Sequence, residues 1–130
     1  MEGNQIVALV VAAAILFFFV RRTMQMKGIQ QFTAAQLSEQ LEARAPIVVL
    51  DVRTQAERNQ SSIKNSLHIP VSDLGRRAEE LKKYMDKQIV CYCASGSRSV
   101  TAALALKKKG FNTGNLKGGI GDWNFYHRNR

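Results

Sequence analysis

Fifteen consecutive residues, Ile6 to Val20 (IVALVVAAAILFFFV), carry no polar side chain. A helix built from them has no face to turn toward water, so it belongs in a protein core or in a bilayer. At ~1.5 Å per residue it covers about 22 Å, short of the ~30 Å hydrocarbon layer. Arg21 and Arg22 can snorkel toward the headgroups, which makes Asn4 to Thr23 long enough to cross. A cleaved secretory signal is the competing reading. Against it, Met1–Gln5 has no Lys or Arg, and Ala12-Ala13-Ala14 is followed by further apolar residues where a cleavage site should end the run. A core helix would need a polar face. The segment is therefore read as a retained, single-pass anchor, in contact with the membrane through residues 6–20. No cation precedes it, whereas Arg21, Arg22 and Lys27 follow it. The positive-inside rule then places it in the inner (cytoplasmic) membrane with the rest of the chain facing the cytoplasm.

Residues 1–27 are thus assigned to the anchor and a short linker from residue 23, and residues 28–130 to one domain of ordinary size. The chain has 19 Lys and Arg against 10 Asp and Glu, a net charge of +9, and residues 28–130 keep 16 against 9. That balance suits a small anionic ligand or the acidic inner leaflet. It does not suggest nucleic acid, because no nucleic-acid motif is present and the aromatics are not interleaved with the basic residues. Two cysteines exclude a disulfide scaffold, and in a reducing compartment both are expected as free thiols. His68 and His127 lie far from Cys91 and Cys93, so no metal site is expected.

From Gly28 onward, short apolar runs alternate with amphipathic stretches, the pattern of an α/β domain. Ile29–Phe32 reads as an edge strand. Thr33 reads as the cap of a helix over Ala34–Arg44, with Leu37 and Leu41 on its buried face. Ile47–Leu50 is a continuous apolar run, as in a parallel strand covered on both faces, with Asp51 at its end. Leu67–Ile69 is a short strand stopped by Pro70. Ser72 is expected to cap a helix reaching Tyr84 and carrying Leu74, Ala78 and Leu81. Gln88–Tyr92 is a strand, Arg98–Lys109 a helix stopped by Gly110, and Asn112–Leu116 a last strand. A closing amphipathic helix holds Trp123, assigned to the core, and Phe125.

Ligand sites in such folds lie at the carboxyl ends of the strands. Two polar clusters fall there: Asp51-Val52-Arg53 and Cys93-Ala94-Ser95-Gly96-Ser97-Arg98-Ser99. In the second, a buried strand ends in a cysteine, small residues follow, and an arginine opens a helix. A turn of small residues can curl so that successive N–H groups point inward, and with the helix N-terminus it forms an anion cradle. The same field stabilises a thiolate, the reactive form of cysteine. Gly96 supplies the backbone freedom, and Arg98 adds a charge beside the nest. Cys93 is the candidate nucleophile, and Ala94 to Ser99 are the candidate substrate-binding residues.

These residues resemble the rhodanese family of sulfurtransferases across about Gly28 to Trp123. Three ordered motifs carry the likeness: Asp51-Val-Arg53-x-x-x-Glu57 with Ile63 and Leu67-His-Ile69-Pro70; the C-x4-R loop from Cys93 to Arg98; and Lys117-Gly-Gly119-x-x-x-Trp123. With its anchor, the chain looks like the single-domain, membrane-anchored rhodaneses of bacteria. The resemblance implies a parallel β-sheet flanked by helices on both faces, preceded by one transmembrane helix. It also implies that the Cys93 thiolate takes sulfur from a sulfane donor such as thiosulfate and passes it to cyanide or a cellular thiol. No cofactor is implied, since the sulfur travels as a covalent persulfide on Cys93. Three positions depart from the family pattern: Arg58 replaces an aromatic residue, Ser61-Ser62 precede Ile63, and Asn65 stands where glycine is usual. Of these, Asn65 is mild, because Asn tolerates a left-handed turn.

Other residues have plainer readings. Asp51 and Arg53 are read as an ion pair supporting the site wall, with Glu57 as their satellite or a helix-end charge. Cys91 points to the same face as Cys93 and is read as a small buried hydrophobe rather than a resolving thiol. His68 is read as a strand residue, and Lys107–Lys109 as a solvated helix end. Two rival functions remain at this level. A cysteine phosphatase or arsenate reductase of the same fold would use a longer C-x5-R cradle. A non-catalytic tethered module would not need both Cys93 and Arg98.

Overall fold

The computed structural model describes residues 2–26 and 28–130. Lys27, used above as a topology signal, lies outside the described residues. Helix α1 (Gly3–Met26) contains the apolar run. It extends through Thr23–Met26, where the sequence suggested linker, and the Thr23 hydroxyl donates to the Phe19 carbonyl one turn back. The helix is long and apolar enough to cross a membrane, and its large apolar side chains lie exposed rather than against the domain.

Five strands form one sheet: β1 (Gln30–Phe32), β2 (Ile47–Asp51), β3 (Leu67–His68), β4 (Gln88–Tyr92) and β5 (Asn112–Leu116). Their spatial order is β1-β5-β4-β2-β3, and every pairing is parallel. All strands therefore point the same way, and their carboxyl ends gather at one pole. Pleat alternation sorts the side chains. Leu50, Ile89, Cys91 and Cys93 enter one core, under α5 (Ser97–Lys108) and the Leu74–Leu81 segment. Val49, Val90 and Tyr92 enter the other, under α2 (Ala34–Glu42) and α6 (Gly119–Arg128). Helices thus cover both faces.

Most expected elements stand within a residue or two of their positions. Thr33 caps α2 through a reciprocal capping box with Gln36. Two readings are corrected, and one element is added. Ser72 caps nothing: the chain enters a 3-10 turn (Val71–Asp73) directly after Pro70, a short α4 (Leu74–Arg77) follows, and a 3-10 stretch runs to Tyr84. Leu74, Ala78 and Leu81 are buried as expected, since their spacing serves either helix type. An additional helix, α3 (Gln55–Gln60), occupies a stretch to which the sequence assigned no element. Trp123 is half-buried rather than enclosed; it packs on the α2/α6 core and stacks on His127 with ring centroids 4.3 Å apart.

Candidate active site

The site is built where β4 ends. Cys93 follows Tyr92, the loop turns through Gly96, and α5 begins at Ser97. Gly96 has φ +113°, a conformation open to glycine and costly for other residues. That turn aims the Gly96 N–H at the Cys93 Sγ, at 3.0 Å, while the Ser99 hydroxyl lies 3.3 Å from the same sulfur. Cys93 is 1% exposed. Burial pushes its thiol up, but hydrogen bonds from the Ser99 hydroxyl and from the N–H groups of Ser99, Gly96 and Ser95 outweigh burial. The thiol is held below its ordinary value. Cys91, fully buried in the same core, has only burial and the neighbouring Cys93 charge acting on it and is pushed up to about 12. Two thiols two residues apart are thus shifted in opposite directions, and Cys93 is the one whose thiolate is favoured.

The far side of the loop is fixed by α6. Ile120 N–H donates to the Cys93 carbonyl at 2.9 Å, and Gly121 N–H reaches the Ala94 carbonyl. Gly119, at φ +60°, sits so close that a β-carbon there would fall on the Cys93 and Ala94 carbonyls. The Lys117-Gly-Gly motif thus lets a helix N-terminus press on the cysteine loop.

Arg98 leaves the loop sideways. Its guanidinium grips Glu57 through two 2.7 Å hydrogen bonds. The Arg98 hydrogen bonds, against a smaller opposing effect of burial, hold the Glu57 carboxyl at about 2. Glu57 is also the third residue of α3 and closes a capping box with Thr54. Glu57 is therefore a helix-end charge of α3 whose carboxylate pairs with Arg98, and only its backbone carbonyl meets Arg53. The signature Thr54-x-x-Glu57 marks both the missed helix and the residue.

Asp51 and Arg53 form a buried pair. Asp51 Oδ1 accepts from Arg53 Nε at 3.0 Å and from the Arg53 backbone N–H, and Oδ2 accepts from Nη2 at 2.9 Å. Tyr92, opposite Asp51 in the β2/β4 register, donates its hydroxyl to Oδ2 at 3.0 Å. The same hydroxyl accepts the Ile63 N–H. Burial alone would raise the Asp51 carboxyl, yet these bonds hold it below the usual carboxylate range. Arg58 reaches Asp51 at 3.3 Å and the carbonyls of Ser66 and Leu67. One carboxylate thus faces two guanidiniums, leaving an uncompensated positive charge behind the site. The arginine that replaces an aromatic residue here locks the β3 approach with hydrogen bonds. Asn65 takes the left-handed turn, at φ +64°. His68 Nε2 meets the Arg53 carbonyl at 2.7 Å, so it holds the wall. Among the described residues no cluster of His, Cys, Asp and Glu is arranged to hold a metal ion.

A family model described as "Rhodanese-like domain" matches residues 33–125. The chain belongs to the rhodanese-like family. A protein named sulfurtransferase from Allochromatium vinosum is 33% identical over 96 residues, covering 73% of this chain and 88% of that one. The Bacillus subtilis protein YqhL, described as uncharacterized, is 32% identical over 127 residues, covering 93% of each chain. Residues 28–130 alone are too few to supply that coverage, so the YqhL likeness takes in part of α1. Among solved structures, a rhodanese-related protein from Thermoplasma volcanium superimposes with a TM-score of 0.68 at 35% identity, covering 75% of this chain and 92% of that one. This rhodanese-like domain therefore has sulfurtransferases among its relatives, and its parallel sheet and flanking helices are those of the family fold.

Proposed function

We propose that the chain is a membrane-anchored sulfurtransferase that moves sulfane sulfur from an anionic donor of the thiosulfate class to a thiophilic acceptor through a persulfide on Cys93. The observation that carries this reading is the buried Cys93 sulfur, met by the Gly96 N–H and the Ser99 hydroxyl inside a four-residue C-x4-R loop. Such a cradle stabilises a thiolate before reaction and an anionic outer sulfur after it.

In the first step the Cys93 thiolate attacks the sulfane sulfur of the donor. A Cys93 S–S bond forms, the donor's S–S bond breaks, and sulfite leaves with the electron pair. In the second, a cyanide ion or thiolate attacks the outer sulfur. The Cys93 S–S bond breaks and returns its electron pair to Cys93, regenerating the thiolate. No proton transfer is needed at the cysteine when both partners are anions. The uncompensated charge around Asp51, Arg53 and Arg58 favours an anionic donor. Arg98, committed to Glu57, positions the start of α5. In this reading α1 is the membrane anchor, and Arg21 and Arg22 on its carboxyl side favour a cytoplasmic domain.

Intact-mass analysis after thiosulfate treatment tests the chemistry. The wild-type chain gains one sulfur, Cys93→Ala gains none, and thiosulfate:cyanide activity falls to background in the variant. Phosphatase activity without a sulfur adduct would overturn the assignment.

A further inference from the structure

The pole opposite Cys93 has a character of its own. Because all five strands are parallel, their amino ends lie together there, with the loops that feed them. These loops touch one another. The Pro46 carbonyl accepts the Gln88 N–H, the Gln88 side chain reaches that of Gln30, and the Met85 methyl lies beside Gly110. The Lys107 ammonium is bonded to the Gly28 carbonyl, just before β1. Onto this surface project Arg44, Lys87, Lys107, Lys108 and Lys109, all exposed; the acids beside them are Asp86 and, at the end of α2, Glu42, which is paired with Arg130. None of these five cations is in an ion pair among the described residues. Met85 stands 48% exposed among them.

Chain connectivity fixes where this pole is. From Met26, the end of α1, to Gln30, the start of β1, there are four residue steps. Fully extended they span no more than about 14 Å. The amino end of β1 therefore stays within that distance of the carboxyl end of α1, and those of β5, β4 and β2 follow beside it at ~4.8 Å per strand, while the cysteine loop lies at the far end of the sheet. Basic side chains on this pole come under the field of an anionic lipid surface when the pole turns toward it, because that field falls off over a ~8 Å screening length.

We propose that this pole is a docking face for an anionic bilayer surface. The Arg44, Lys87 and Lys107–Lys109 cations contact lipid phosphates, Met85 enters the headgroup layer, and the domain is held upright with the Cys93 loop turned toward the aqueous phase. The inference rests on α1 being a retained anchor. It adds an orientation that a tether alone does not impose, since four residue steps permit the domain to roll.

Lysine labelling of the full chain in nanodiscs tests it. Discs of phosphatidylcholine are compared with discs in which about a third of the lipid is phosphatidylglycerol. An amine-reactive acetylating reagent is applied, and modification is read by mass spectrometry at each lysine. Lys117, exposed at the Cys93 pole, is the internal control. The expected result is labelling about threefold slower or more at Lys87, Lys108 and Lys109 in the anionic discs, with Lys117 unchanged. About 0.5 M salt should abolish the difference. Equal labelling in both lipids while the chain remains in the discs overturns the proposal. So does slowing at Lys117 to the same degree, or slowing with duplex nucleic acid but not with phosphatidylglycerol. Loss of the whole chain from neutral discs removes the anchor, and this inference with it.

Discussion

At the scale of single residues, Ser99 is the side chain on which the Cys93 sulfur most depends. Its hydroxyl lies 3.3 Å from Sγ, and it is itself fully buried. Its hydrogen bond is the first of the influences that overcome burial of the thiol. Removing it leaves burial, which raises the thiol, opposed only by backbone N–H groups. Ser99→Ala is therefore expected to shift the alkaline-rising limb of the donor reaction to higher pH. At a fixed pH below that limb the rate should fall up to about tenfold, while the plateau rate changes little. A pH profile of sulfur loading measures this, and an unchanged limb would mean that the N–H groups alone set the thiolate. The cysteine, Gly96 and Arg98 are legible in the sequence because their spacing is local. Tyr92 is not. Its bond to Asp51 depends on the β2/β4 register, which brings together residues 41 positions apart. A run of alternating side chains says that Tyr92 faces away from Cys93, but not which strand will lie beside it.

At the scale of elements, β2, β4 and β5 are readable because each is a compact run bounded by polar or turn residues. Helix α3 was hidden by its polarity: it buries no side chain, so no apolar period announces it. Its only sequence sign is the Thr54/Glu57 capping box, and its position is secured from outside by Arg98. The 3-10 character after Pro70 was equally hidden, because the Leu74, Ala78 and Leu81 spacing of four and three is common to both helix types. The Glu57→Gln variant separates the two duties of α3. Glutamine keeps the capping partner for Thr54, so what is lost is the charge facing Arg98. The Glu57 carboxyl sits at about 2 in the folded chain against 4.5 ordinarily. A carboxyl lowered on folding stabilises the fold fully above its unfolded value and loses that contribution as pH falls through its folded value. Wild type should therefore be more stable than Glu57→Gln above pH 4.5, with the gap closing as the pH drops toward about 2. Urea unfolding at several pH values reads this gap; a gap that stays constant to the lowest pH would show that the ion pair adds nothing.

At the scale of the whole molecule, the two parts of the chain bury their apolar surface separately. The domain has two cores, one on each face of the sheet, and neither includes a residue of α1. The large side chains of α1, from Ile6 to Met24, lie exposed. A helix that covers none of the domain's core gives up no core contact when removed, whereas its own apolar surface demands lipid or self-association. A chain beginning at Gly28 keeps the Gly28 carbonyl that accepts from Lys107, and with it the entry into β1. We therefore expect residues 28–130 to unfold within about 2 °C of the domain transition in the full chain, since surface changes shift stability by only about 0.5 kcal/mol. The shortened chain should load sulfur on Cys93 at an unchanged rate in solution and should leave the membrane fraction on cell breakage, where the full chain stays with it through an alkaline wash. A lowered transition would show that α1 packs on the domain. Membrane retention of the shortened chain would instead show that the basic pole holds the bilayer without the helix, a stronger grip than five cations and one methionine are expected to give at physiological salt.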